Sequence, residues 1–157
     1  LSPAGVGLMM AAAVFGADHL SKMILRETLV PETWSQVTVL PFFNLVHAWN
    51  YGVSFSLLAG EGDLRRWGLV IVMLLISAAV TFWMWRAPNR WVALAYGAVL
   101  GGALGNVLDR IVHGAVFDFL QFHLAGYYWP SFNLADSAIV LGVGALLLDS
   151  LWHREKT

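Results

Sequence analysis

The sequence contains no cysteine and few charged residues. Only 12% of its 157 residues are Asp, Glu, Lys or Arg, about half the fraction expected of a soluble domain. The absence of cysteine excludes disulfides, thiolate nucleophiles and metal sites built from cysteine. Nine basic and ten acidic residues leave a formal net charge of −1, which provides no positive field for nucleic acid phosphates. We therefore expect no nucleic acid partner.

Apolar residues are abundant and fall into four long runs. They make up 59% of the chain, and the mean hydropathy is +0.67. The runs cover about residues 4–24, 67–85, 91–111 and 132–152, each long enough to cross the hydrocarbon layer as a helix of about 20 residues. In the third run, glycines at 97, 101 and 105 predict a stripe for close helix packing. We therefore predict an all-α membrane protein with four transmembrane helices, forming a single membrane domain over residues 1–157.

Two long connections lie on the same side of this predicted bundle. Residues 25–64 form an extramembrane insertion, in which residues 36–40 and 43–49 are predicted as strands and residues 54–59 as a short interfacial helix. Residues 113–131 form the other connection, and we place its aromatic cluster at 127–129 among the lipid headgroups. The four helices are thus expected to carry a small β-containing segment outside the membrane.

Charged side chains within the spans collect on one side of the membrane. An ionised side chain at the centre of a membrane helix costs about 2.5 to 3.5 kcal/mol, so this clustering requires a reason. The residues concerned end the first and third spans and begin the fourth: Asp18, Lys22, Asp109, Arg110 and Asp136. Because Asp18 and Lys22 are four residues apart, they predict a local ion pair. We interpret Asp109 and Arg110 as a structural pair at the end of the third helix.

Asp136 allows two interpretations. Asn133 lies three residues earlier, so in a helix both side chains would face the same space. Alternatively, Asp136 only caps the start of the helix, where free N–H groups and the helix dipole favour a carboxylate. Asn106 lies three and four residues before Asp109 and Arg110, so these side chains are also expected to share a face.

The side chains available for catalysis favour a pair of carboxylates. The five histidines form no His-Glu-x-x-His motif and no serine lies in a Gly-x-Ser-x-Gly elbow, so neither a zinc site nor a serine hydrolase is indicated. Asp118 lies in the apolar stretch 115–120, on the same predicted side as Asp136. Two close carboxylates would share a proton, one acting as a base towards water and the other as an acid towards a carbonyl oxygen. This pattern indicates aspartic-protease chemistry, with no metal and no cofactor.

Five sequence blocks resemble a known family, in the family's order and across all four spans. They are Asp18-His-Leu-Ser-Lys22, Asn50-Tyr-Gly-Val-Ser-Phe55, Gly101-Gly-Ala-Leu-Gly-Asn-Val-Leu-Asp-Arg110, Val116-Phe-Asp-Phe119 and Phe132-Asn-Leu-Ala-Asp136. In these blocks the chain is similar to the lipoprotein signal peptidases, or type II signal peptidases, of bacterial inner membranes. The resemblance implies that Asp118 and Asp136 are the catalytic dyad. It also implies a supporting or substrate-binding set: Asp18, Lys22, Asn50, Gly52, Asn106, Asp109, Arg110, Asn133 and Ala135.

The same resemblance implies a substrate and a location. The substrate would be a prolipoprotein whose cysteine already carries diacylglyceryl, cut on the N-terminal side of that cysteine, and membrane lipid would be the other partner. The chain would be a multi-pass protein of the inner membrane, with the β-containing segment in the periplasm and the active site near the periplasmic face. His19, Trp49 and Phe117 depart from the usual family residues but do not touch the dyad.

A small proton-coupled carrier or channel subunit is the alternative, because carboxylates inside membranes also relay protons. A relay should place polar groups across the full depth of the bilayer, whereas residues 67–85 carry no formal charge. A structural membrane subunit in which every charge is paired is a third interpretation. Cleavage of a lipidated peptide without added metal would distinguish the enzyme from both.

Overall fold

Helices dominate the part of the chain that the computed structural model describes, residues 1–29, 31–32, 35–52 and 62–154. Within these ranges, four helices are long and apolar enough to cross a membrane. They are α1 (Pro3–Ile24), α2 (Gly62–Trp85), α3 (Arg90–His113) and α4 (Leu134–Arg154). The predicted fold of four transmembrane helices is confirmed. The predicted interfacial helix, residues 54–59, lies outside the described residues.

The helix α3 lies at the centre of the bundle, with α1, α2 and α4 packed on it. Gly97 and Gly101 let the backbone of α1 approach closely, because a Cβ at these positions would collide with the carbonyl oxygens of Gly7 and Ala11. On the neighbouring face, a Cβ at Gly102 would collide with the backbone of α4 in the same way. The packing role predicted for the glycine stripe is confirmed.

Local polar groups set the ends of the helices. Ser2 and Asn89 precede α1 and α3, and each accepts a hydrogen bond from the backbone N–H three residues later, at 3.1 and 2.9 Å. A π-helical turn, Leu25–Leu29, extends α1 into the insertion. The helix α3 ends at Gly114, whose φ of 80° lies in the left-handed region that glycine adopts without strain. The chain can therefore turn sharply into a strand at this point.

A four-stranded antiparallel sheet lies at one end of the helix bundle. This is the end at which α1 and α3 end, and we call it the site end. The strands of the sheet lie in the order β1 (Gln36–Leu40), β2 (Phe43–Asn50), β3 (Val116–Leu124) and β4 (Tyr127–Tyr128). The strands β1 and β2 agree with the prediction, whereas β3 and β4 fall in a connection where no strand is predicted. Residues 116–119 are all buried, and the alternation of apolar and polar residues in β3 changes phase between Phe119 and Leu120, so no single alternating pattern runs through the strand.

The strand β3 connects the sheet to the bundle. On one side, Asp118 is paired in register with Ala48 of β2. On the other side, Leu120 forms a two-way backbone bridge with Phe132, with N···O distances of 2.8 and 2.9 Å. Because Phe132 lies just before α4, this bridge holds the start of α4 against β3.

Candidate active site

Asp118 and Asp136 come from different elements and meet around one asparagine. Asp118 lies on β3 and is 1% exposed, whereas Asp136 lies half-buried in the first turn of α4. Asn133, just before α4, is fully buried and contacts both carboxylates. Its Nδ2 donates to Oδ1 of Asp118 at 2.8 Å, and its backbone N–H donates to Oδ2 of Asp136 at 3.3 Å. The two aspartates are thus neighbours in space, although 17 residues of sequence separate them.

Asp136 is both a helix cap and a member of a polar cluster. Its backbone N–H donates to Oδ1 of Asn133 at 2.9 Å, while its carboxylate accepts from the N–H of Asn133, which is the reciprocal pattern of a capping box. The other carboxylate oxygen, Oδ1, accepts from Nδ2 of Asn106 at 2.7 Å. Both interpretations of Asp136 therefore hold, because the residue caps α4 and also faces a space that it shares with other polar groups.

Asn50 completes the surroundings of Asp118. Its Nδ2 donates to Oδ2 of Asp118 at 3.0 Å, and its own Oδ1 accepts from the backbone N–H of Gly52 at 2.9 Å. Gly52 has a φ of 78°, a conformation that side chains other than glycine rarely adopt. Each oxygen of Asp118 therefore accepts an amide hydrogen bond, and Gly52 fixes the orientation of one of the two donors.

A buried ion cluster joins α1 to α3. The ammonium Nζ of Lys22 lies 2.7 Å from Asp18 and 2.9 Å from Asp109, and it donates to Oδ1 of Asn106 at 3.2 Å. All four side chains are buried. Gly105, the last member of the stripe, leaves room for this cluster, because a Cβ there would lie 2.6 Å from the carboxylate of Asp18. The predicted ion pair between Asp18 and Lys22 is confirmed.

The predicted pair between Asp109 and Arg110 is wrong. In the described part of the chain, Asp109 pairs with Lys22, and no ion pair involves Arg110. Adjacent residues point about 100° apart on a helix, so Asp109 faces α1 whereas Arg110 faces α2. The guanidinium Nη1 of Arg110 lies 3.5 Å from Sδ of Met73 and donates to the carbonyl oxygen of Asn106 at 3.3 Å.

Arg66, in α2, is a site-end residue that the sequence reasoning missed. Its Nε donates to the carbonyl oxygen of Arg110 at 2.7 Å, and its Nη2 donates to that of Ile111. The guanidinium thus caps the end of α3, and it adds a second donor to the carbonyl of Arg110, which also accepts from the backbone N–H of Gly114 at 3.1 Å. Two adjacent arginines at the start of α2, which runs antiparallel to α3, could have indicated such a cap. The sequence does not tell which of Arg65 and Arg66 faces α3.

Two hydrogen bonds from backbone N–H groups next to the dyad were also not predicted from the sequence. Oδ1 of Asp18 accepts from the backbone N–H of Ala135 at 2.9 Å, and Oδ2 of Asp109 accepts from that of Phe117 at 3.1 Å. With these bonds, all the predicted site residues belong to one hydrogen-bonded network: Asp18, Lys22, Asn50, Gly52, Asn106, Asp109, Arg110, Asp118, Asn133, Ala135 and Asp136.

The protonation of Asp118 is strongly affected by its surroundings. Burial, followed by the negative charge of Asp136, raises the pKa of the Asp118 carboxyl to about 7. The hydrogen bonds from Asn50 and Asn133 and the charge of Lys22 oppose this shift. A carboxyl with such a pKa can hold a proton at neutral pH and also release it, as acid–base catalysis requires.

Comparison with known proteins identifies the family of this chain. A family model for signal peptidase (SPase) II matches residues 10–152. The chain belongs to the signal peptidase II family. A lipoprotein signal peptidase of Vibrio vulnificus (strain CMCP6) is 40% identical over 151 residues, covering 95% of this chain and 90% of that protein. Another, from Beijerinckia indica subsp. indica (strain ATCC 9039 / DSM 1715 / NCIMB 8712), is 41% identical over 155 residues, covering 99% and 93%.

A solved structure of a bacterial membrane enzyme at 2.3 Å resolution agrees with the signal peptidase II fold of this chain. It shares 27% sequence identity at a TM-score of 0.82, and the match covers 98% of this chain and 92% of that one. The resemblance found in the five sequence blocks is therefore confirmed. As a member of this family with four membrane-spanning helices, the chain is a multi-pass bacterial membrane protease that processes the signal peptides of lipoproteins, which favours the enzyme over the proton-coupled carrier.

Proposed function

We propose that the chain is an intramembrane aspartic endopeptidase with Asp118 and Asp136 as its catalytic dyad, built as one membrane domain over residues 1–157. The observation that carries this proposal is the position of Asn133, which donates to both carboxylates, at 2.8 and 3.3 Å. These two donors keep the carboxylates near each other, and the negative charge of Asp136 is one of the causes that raise the pKa of Asp118. Such a pair is the arrangement in which one carboxyl stays protonated while the other is ionised.

The surroundings of the two aspartates support different roles. Asp118 is 1% exposed and has a pKa raised to about 7, so it is the better candidate for the protonated acid. Asp136 is half-buried at the N-terminus of α4, where the helix dipole and a backbone N–H interact favourably with negative charge. We therefore assign Asp136 as the base towards water and Asp118 as the acid towards the scissile carbonyl.

The reaction then needs only these two groups and water. Asp136 accepts a proton from water as the water oxygen bonds to the carbonyl carbon, and Asp118 donates its proton to the carbonyl oxygen. When the C–N bond of the resulting gem-diol breaks, Asp136 returns its proton to the leaving nitrogen and Asp118 recovers one from a hydroxyl group. The products are a carboxylic acid and an amine, and both aspartates return to their initial states.

The proposed substrate is a diacylglyceryl-modified prolipoprotein, cut on the N-terminal side of the lipidated cysteine. Moving acyl chains into water costs about 0.8 kcal/mol per methylene, so the substrate must be cleaved with its lipid still in the membrane. The dyad suits this requirement because it lies at the ends of the membrane helices. Asp136 is in the first turn of α4, and Asp118 is on a strand that follows α3.

We further propose that the site end faces the periplasm of the inner membrane and that both chain termini are cytoplasmic. The family resemblance supports this orientation, whereas the positive-inside rule does not decide it. Four Lys or Arg residues lie on one predicted side and five on the other.

Mass spectrometry of the products formed in proteoliposomes tests this function. A synthetic lipobox peptide with an S-diacylglyceryl cysteine should yield a fragment that begins at that cysteine, and chelation of divalent metals should not slow its formation. The matched peptide with an unmodified cysteine should be cleaved far more slowly. Equal cleavage of both peptides, or a cut elsewhere, would contradict the proposed substrate.

A further inference from the structure

Lys22 is the common partner of three acceptors in the buried cluster. Its ammonium contacts Asp18 at 2.7 Å, Asp109 at 2.9 Å and Asn106 at 3.2 Å, and the residue is 4% exposed. An ammonium has three N–H donors and no acceptor, so these contacts use its full capacity. Burying a charge in this way is costly unless every donor is matched, which indicates that the position of this charge matters.

Two of the three contacts lead to the backbone next to the dyad. Asp18 accepts from the N–H of Ala135, the residue immediately before Asp136. Asp109 accepts from the N–H of Phe117, the residue immediately before Asp118. Each carboxylate beside Lys22 therefore fixes the backbone one residue ahead of a dyad member, and the ammonium holds these two carboxylates together.

The third contact leads to a dyad side chain. Because Lys22 can only donate, it holds Oδ1 of Asn106 towards itself, and Nδ2 of Asn106 must then face Asp136, where the distance is 2.7 Å. Asn133 also donates to Oδ1 of Asn106, at 3.1 Å. Without the ammonium, only the bond from Asn133 would hold the Asn106 oxygen away from the carboxylate of Asp136.

We propose that Lys22 is the positioning residue of the dyad, setting both the separation of the two carboxylates and their affinity for the shared proton. This inference rests on the proposed function. The charged or titratable groups around this cluster include Asp18, His19, Lys22 and Arg26 from α1 and the turn after it, Arg66 from α2, Asp109, Arg110 and His113 from α3, Asp118 from β3 and Asp136 from α4. Among these charged groups, only Lys22 contacts Asp18, Asp109 and Asn106 together, the three residues through which it reaches the dyad.

Replacing the ammonium should change rate and pH dependence together. For Lys22→Met we expect kcat to fall by about 100-fold, because small displacements of catalytic groups have losses of that order, with KM little changed. A positive charge favours ionised carboxylates, so the remaining activity should show its pH limbs shifted to higher pH. Arg86→Met, which removes a cation at the other end of α2, is the matched control and should keep the wild-type rate and profile.

Chemical rescue makes the test specific, because the chain has no cysteine of its own. Lys22→Cys, alkylated with 2-bromoethylamine before reconstitution, restores an ammonium at nearly the original length and only at position 22. We expect the alkylated protein to regain at least a tenth of the wild-type kcat and the wild-type pH profile, while the unalkylated protein remains slow.

Three results would overturn the inference. They are an unchanged kcat in Lys22→Met, an increase in KM with no change in kcat, and a folded, aminoethylated protein that stays as slow as the unalkylated one. If Lys22 variants fail to fold, Asp109→Asn and Asp18→Asn test the two carboxylate arms, and unchanged kcat in both would overturn it as well. Asp118→Asn and Asp136→Asn, measured in parallel, show whether the dyad assignment itself fails, independently of Lys22.

Discussion

Asn133 donates from its side-chain amide to Asp118 at 2.8 Å, and this bond connects the sheet to the helix bundle. The same residue begins α4, because its Oδ1 accepts from the backbone N–H three residues later at 2.9 Å. One buried side chain thus has a structural role in capping a helix and a second role in holding a carboxyl group. The two roles use different atoms, so mutation can separate them.

Asn133→Ser should lose activity but keep more stability than Asn133→Ala. Serine is a good N-cap, but it is too short to reach Asp118, so the cap would survive while the hydrogen bond to Asp118 is lost. Both variants lose that bond, and Asn133→Ala loses the cap as well, at a further cost of about 1 kcal/mol. Thermal unfolding and cleavage assays on both variants check this. Full activity in Asn133→Ser would show that the bridge to Asp118 is not needed.

The pH dependence of cleavage should reflect the raised pKa of Asp118. Since that pKa is about 7 and the acid role requires the proton, kcat should decline as the pH rises above about 7. This decline in rate reflects the titration of the coupled pair of carboxyls, so its midpoint need not equal the pKa of Asp118 alone. A rate profile measured from pH 5 to 9 checks this, and an increase in kcat through pH 8 would contradict the assignment of Asp118 as the acid.

The same pKa makes a prediction for stability. The Asp118 carboxyl releases its proton near pH 3.8 when unfolded but only near 7 when folded, so the folded state holds more protons in between. Its contribution to the free energy of unfolding therefore falls as the pH rises through this window. Asp118→Asn should gain stability relative to wild type between pH 5 and pH 8, as measured by thermal unfolding in detergent. Asp63→Asn, a change at a side chain that is 90% exposed, should show no such gain.

Helix packing along the glycine stripe should be intolerant of side chains. Gly101→Val would push a side chain into the backbone of α1, and we expect a large loss of thermal stability. Gly16→Val is the matched control, because a Cβ at that glycine of α1 meets no other atom within 4 Å. Similar unfolding temperatures for the two variants would contradict the close approach of α1 and α3.

The proposed orientation predicts which positions can be labelled from outside the cell. Tyr128→Cys, in β4 at the site end, should react with a membrane-impermeant maleimide in intact spheroplasts. Pro88→Cys, in the turn between α2 and α3, should react only after the membrane is disrupted. The native chain has no cysteine, so each variant carries one reactive position. The reverse pattern would show that the site end faces the cytoplasm.

Much of the fold is readable from the sequence because its signals are local. Apolar runs about as long as a bilayer is thick define the four spans, and the break at Pro41 and Phe42 separates β1 from β2. The strand β3 could not be recognised in this way. It is buried on both faces where Asp118 lies, and its alternation of apolar and polar residues changes phase between Phe119 and Leu120.

Pairing within the site was harder to predict, because it depends on which helices are neighbours. The pair between Asp18 and Lys22 follows from their spacing on one helix. The pair between Lys22 and Asp109 requires α1 to pack against α3, which no local pattern specifies. Sequence adjacency suggested Arg110 as the partner of Asp109, but neighbouring residues on a helix point in different directions.

The most direct test of the central claim is the cleavage rate of a diacylglyceryl-modified lipobox peptide by Asp118→Asn and Asp136→Asn in proteoliposomes containing a metal chelator. General acid–base catalysis contributes about 100- to 10,000-fold, so each variant should lose at least two orders of magnitude while remaining folded. Because the pair acts as a unit, the double variant should be little worse than either single one, and Asp63→Asn should cleave at the wild-type rate. More than a few per cent of wild-type cleavage in either variant, or a wild-type enzyme that is inactive until a divalent metal is added, would contradict the aspartic dyad.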